Sequence, residues 1–111
     1  MTYPFTTGFA KGSATSKAAA DSLQSRDAVA FAVLQALYVV GAHGYIVDEA
    51  KPIVEHALGR DFDRSTVAAR FTELKEMGYI EETSATRQTP RGRQAAVHKI
   101  SIKGRDAVLN A

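Results

Sequence analysis

None of the 111 residues is a cysteine, which excludes disulfides and thiolate metal sites and permits a reducing compartment. Long apolar runs are missing too. The richest stretch, residues 28 to 40, is interrupted by Gln35 and is too short to span a bilayer. The N-terminus lacks a charged start followed by a long apolar core, so no signal peptide and no membrane association are expected, and a cytoplasmic location is. Ser, Thr, Asp and Glu are plentiful, but no nucleophile elbow, phosphate loop or paired-carboxylate motif gathers them. The chain is therefore not expected to be an enzyme, and neither catalytic residues nor a cofactor is expected. His43, His56 and His98 stand far apart without a recognised ligand spacing, so no metal is expected either.

One further absence is local. Residues 83 to 105 contain no acid, yet Arg87, Arg91, Arg93, Lys99, Lys103 and Arg105 are basic. The formal net charge is only +2, but it is unevenly spread. Residues 1 to 58 carry four basic and five acidic groups, residues 59 to 82 carry four and six, and residues 83 to 111 carry six and one. The positive field thus sits in the last quarter of the chain, where it would steer a polyanion.

The length and a hydrophobic content of 45% fit one domain with a modest core, and no internal repeat divides it. Residues 1 to 14 lack an apolar period and are read as an arm, with residues 15 to 111 as the domain. A short alanine-rich helix is expected over 15 to 25. Asp27 then caps a strongly apolar helix with Val29, Phe31, Val33, Leu34, Leu37, Tyr38 and Val40 inward, ended by Gly41. A helix so apolar needs cover on several sides and is expected to be central. Tyr45 and Ile46 suit a very short strand. Asp48 is expected to cap the next helix, with Pro52 in its first turn and Ala50, Ile53, Val54, Ala57 and Leu58 buried.

A turn through Arg60-Asp61-Phe62 leads to a further helix capped by Asp63 and stopped by a left-handed Gly78. Val67, Phe71 and Leu74 face its interior side, while Ser65, Ala69, Thr72 and Glu76 face away. Residues 79 to 83 and 95 to 102 alternate as strands, with Ile80, Val97, Ile100 and Ile102 as apolar positions. About a dozen residues centred on Pro90-Arg91-Gly92-Arg93 join the strands. A last helical turn or two is expected at 104 to 110.

Arginine forks match phosphate oxygens, and Gly92 allows a backbone to come close. Thr86 and Thr89 add hydroxyls beside Arg87, Arg91, Arg93 and Lys99. The same loop also reads as a solvated, solubilising one. In the preceding helix Arg64, Ser65 and Thr66 suit base edges or phosphates, Ala69 permits close approach to a groove, and Thr72 suits a thymine methyl. Acids at Asp61, Asp63, Glu73 and Glu76 oppose deep insertion, though capping gives them a structural use. Arg70 has two readings: a phosphate contact, or a pair with Glu73 or Glu82.

The run Ser65-Thr66-Val67-Ala68-Ala69-Arg70-Phe71-Thr72-Glu73-Leu74-Lys75-Glu76-Met77-Gly78-Tyr79-Ile80 resembles the recognition helix and following strand of winged helix-turn-helix proteins encoded by bacteriophages and prophages. The arginine-rich segment 87 to 97 resembles their wing, and residues 15 to 20 resemble their N-terminal segment. Regulators of the MarR type share this outline. The chain departs from the pattern at Pro52 and through the longer turn at 58 to 62.

The resemblance implies an α+β winged helix-turn-helix: three core helices, a two-stranded β-hairpin wing, and flanking N- and C-terminal helical segments. It implies double-stranded DNA binding, as a phage or prophage transcriptional regulator or accessory replication factor in the host cytoplasm. Ser65, Thr66, Ala69 and Arg70 would act at the helix, and Arg87, Arg91 and Arg93 at the wing. A homodimer is expected, because one small module buries little surface on DNA. The alternative is a winged helix protein-protein module acting on a host or phage protein.

Overall fold

Four helices and a two-stranded antiparallel hairpin make up residues 27–110, the part described by the computed structural model. The arm at 1 to 14 and the helix expected at 15 to 25 lie outside these described residues. Helix α1 (Asp27–Val40) is the centre, as its composition predicts. It buries Ala28 through Leu34 without interruption, and Ala36 and Leu37 besides. No single-sided stripe could do this, so α1 is packed by the next two helices, the second strand and the last helix.

After a short 3-10 turn (Gly41–His43), Tyr45 forms a one-residue bridge to His98, with both backbone hydrogen bonds at 2.9 Å. Helix α2 (Val47–Leu58) begins earlier than expected. Its capping group is the carboxylate of Glu49, which accepts the Ile46 amide at 3.0 Å, and Asp48 is thereby left inside the first turn. The earlier start also moves Pro52 into the helix proper, where the Asp48 carbonyl loses its usual N–H partner. Ala50 and Val54 are buried, but Ile53 and Ala57 lie exposed. The expected apolar face was too wide because α2 leans on α1 and α3 along a narrow seam.

Glu55 fixes the turn that follows. Its carboxylate accepts Lys51 Nζ at 2.8 Å and the Phe62 amide at 2.9 Å, and both contacts hold its pKa below the usual carboxylate range. Helix α3 (Arg64–Glu76) buries Val67, Phe71 and Leu74. It stops as expected at Gly78, whose φ of 85° lets the Tyr79 amide reach the Leu74 carbonyl at 2.9 Å.

Strands β1 (Ile80–Gln88) and β2 (Gln94–Ile100) pair from Ile80↔Ile100 outward. The pairing shifts between Glu82↔His98 and Thr86↔Ala96, so residues 83 to 85 face Val97 alone. The Thr83 hydroxyl holds this bulge by donating to the Val97 carbonyl at 2.9 Å and accepting the Ala85 amide at 3.1 Å. The strands therefore run on where a loop of a dozen residues was expected, and only 89 to 93 connect them. The bulge hides the continuation from a strict two-residue alternation.

Helix α4 (Ile102–Leu109) is the other change. Ile102, expected in the strand, is its first residue and is 80% exposed. Ser101 makes the switch. Its hydroxyl accepts the Gly104 amide at 3.1 Å and donates to the Gly78 carbonyl at 2.6 Å, tying α4 to the stop of α3. Lys103 reinforces the joint with a 2.8 Å bond to the Met77 carbonyl and a position 4.8 Å from the Tyr79 ring. No helix among the described residues is long and apolar enough to cross a membrane.

Candidate nucleic-acid interface

The basic segment folds into a tight hairpin end. Thr89-Pro90-Arg91-Gly92 makes the reversal, with the Gly92 amide on the Thr89 carbonyl at 2.9 Å and the Thr89 amide on the Arg93 carbonyl at 2.6 Å. Proline presets the second turn position, and Gly92, at φ 88°, supplies the left-handed residue that closes the turn. Side chains close it further. Thr89 Oγ1 accepts the Arg93 amide at 3.2 Å, and Thr86 Oγ1 donates to Gln94 Oε1 at 2.9 Å. The two threonine hydroxyls are thus engaged within the hairpin.

The arginines divide. Arg91 and Arg93 are exposed at the tip and make no ion pair among the described residues. Arg87 turns back to the helical body. Its Nη1 donates to Glu49 Oε1 at 2.6 Å and to the Gly44 carbonyl at 3.0 Å, and its Nη2 donates to the His43 carbonyl. Lys99 is half-buried on β2, opposite Glu81.

On α3, Ser65, Thr72 and Glu76 are exposed, while Thr66, Ala69 and Arg70 are half-buried. Thr72 Oγ1 donates to the Ala68 carbonyl at 3.2 Å, as helical threonines commonly do. Each cation of the helix has an acid beside it. Arg64 grips Asp48 through two bonds of 2.8 and 3.3 Å, Arg70 meets Glu73 at 3.1 Å, and Lys75 meets Glu82 at 3.0 Å. Of the two readings of Arg70, the pair with Glu73 is the one formed. Lys75, through Glu82, links α3 to the hairpin.

His98 lies under this joint. It is buried, and its ring stands edge-on to Phe71 at 5.3 Å between centroids. Burial pushes its pKa down, Glu82 at 4.0 Å opposes that, and Lys75 adds to it. His43 and His56 are exposed elsewhere, and no group of three or more metal-ligating side chains occurs among the described residues.

No family model, curated protein sequence or solved structure matches the chain. Function has to be read from the geometry alone. What sequence reading missed is the partner set: Asp48 and Glu49 as arginine acceptors, and Ser101 as the α4 cap. Asp48 and Glu49 stand next to each other, but nothing in a linear sequence pairs them with residues 16 and 38 positions away.

Proposed function

We propose that this protein is a winged helix module that binds double-stranded DNA, with the outer side of α3 toward the major groove and the hairpin tip on phosphates. The observation that carries the reading is the pair Arg91 and Arg93. They project from a closed turn, are exposed, have no acid within residues 83 to 105, and make no ion pair among the described residues. Unpaired guanidinium groups at the end of a closed turn suit phosphate contact, because they break no internal ion pair on binding. The small and hydroxylated outer residues of α3, Ser65, Ala69 and Thr72, support the groove contact. Arg87 contributes from within, as described below.

A homodimer belongs to the same proposal. Helix α1 exposes only Gln35 and Val39 fully, so it offers a narrow strip for one. A cytoplasmic regulator or accessory replication factor of phage type remains the biological setting proposed. The second reading, a protein-docking module, is favoured by the acidic rim that Glu76 and Glu81 expose at the end of α3 and the start of β1.

Binding to random duplex DNA, titrated at two salt concentrations, tests the proposal. Arg91→Ala with Arg93→Ala should lower the salt slope by about 2, the value for two lost phosphate contacts. Unchanged affinity and slope in the double variant, or no binding by the parent at low salt, would overturn it in favour of protein docking.

A further inference from the structure

Two neighbouring acids open α2, and each holds one of the arginines that the sequence offers to DNA. The settings differ. Arg64 has a side chain 52% exposed and gives both of its bonds to the single carboxylate of Asp48. Arg87 is 26% exposed and spreads its donors over three acceptors: Glu49 Oε1 and the carbonyls of His43 and Gly44. The same Glu49 oxygen also accepts the Ile46 amide, so one carboxylate joins the start of α2 to β1.

Tyr45 holds the base of the hairpin through His98, but Arg87 holds its outer part. Beyond the bulge at 83 to 85 a two-stranded ribbon has little stability or direction of its own. Among the described residues, Arg87 makes the only side-chain hydrogen bonds that tie residues 84 to 96 to the helical body. We infer that Glu49 is the positioning residue of the hairpin, anchoring β1 through Arg87 and so fixing where Arg91 and Arg93 stand, whereas adjacent Asp48 only screens Arg64. The DNA consequence rests on the phosphate reading of the tip; the anchoring itself does not.

The adjacent acids make a sign test possible. Glu49→Gln and Asp48→Asn each remove one negative charge, one residue apart. Field effects alone would strengthen binding of a polyanion in both variants. Positioning requires a split. Asp48→Asn should bind DNA as well as the parent or better, and Glu49→Gln should bind about tenfold more weakly, the scale of one charge-assisted hydrogen bond. Equal strengthening of both would overturn the inference.

The second arm needs no DNA. Because the chain lacks cysteine, spin labels at His56→Cys and Gln88→Cys report the distance from α2 to the hairpin without background. The distribution should be narrow in the labelled parent and with Asp48→Asn. It should broaden with Glu49→Gln, and with Arg87→Lys, which keeps the charge but loses the fork. A distribution that stays narrow in Glu49→Gln refutes the anchor whatever DNA does. Broadening in a protein that binds no DNA upholds the anchor and removes the DNA reading instead.

Discussion

Gly104→Ala sets two well-characterised effects against each other. In an open helix the change would stabilise by about 1 kcal/mol, because alanine loses less backbone entropy. At this position an added Cβ would lie 2.1 Å from the Tyr79 carbonyl oxygen and 2.8 Å from Ile100 Cγ1. The first of these atoms is backbone, and it already accepts the Ser101 amide at 3.0 Å, so it cannot swing aside. Forcing a methyl into a filled site costs roughly 1–3 kcal/mol, and here the capped start of α4 would move as well. Sterics should win, leaving the variant destabilised by about 2 kcal/mol. For a domain of this size that is a melting point lower by roughly 10 °C. Thermal and urea unfolding followed by circular dichroism would measure it, beside Gly59→Ala as control. A Cβ at Gly59 meets nothing within 4 Å, so only the left-handed φ of 71° penalises it, by about 1 kcal/mol. A Gly104→Ala protein as stable as the parent would mean that α4 does not sit on the Tyr79 carbonyl.

Two further outcomes are expected of the same fold. Ser101→Ala should cost about 1–2 kcal/mol in urea unfolding, since it removes the α4 cap and strands the Gly78 carbonyl; a loss near zero would show that water replaces the hydroxyl freely. Stability should also fall with acid because of His98. Its pKa is depressed in the folded protein relative to the ordinary 6.5, so as pH drops the unfolded chain takes up the proton first. The contribution is therefore present above about pH 6.5 and is lost below it. Urea midpoints between pH 7.5 and 5 should decline and should flatten in His98→Gln, and a midpoint that rises toward acid pH would contradict the burial argument.

Legibility varied with the range of the interaction. The helix at 27 to 40 and the stop at Gly78 were readable, because each depends on residues within a turn or two of one another; the chain break around Pro90-Arg91-Gly92-Arg93 was readable too, but not that it closes as a tight turn. Helix α2 starts two residues before the expected Asp48 cap, because its N-cap is Ile46, whose amide the Glu49 carboxylate accepts at 3.0 Å. Asp48 is drawn to Arg64, and Glu49 is left to serve Ile46 and Arg87 together. Ile102 was misassigned for a similar reason. Its alternation with Ile100 suits a strand, but Ser101 finds the Gly78 carbonyl and starts a helix instead.

The sequence by itself determined the sites of charge and of chain reversal. The segment at 83 to 105 brings six cations and no acid of its own, and glycine positions favour left-handed turns through local sterics. Which cations remain available was decided only by tertiary structure. Arg64, Arg70, Arg87, Arg91 and Arg93 are chemically equal along the chain. The first three are drawn onto Asp48, Glu73 and Glu49, and the last two make no ion pair among the described residues. Ion pairing depends on distances of a few ångströms in space, and only the folded chain sets those distances.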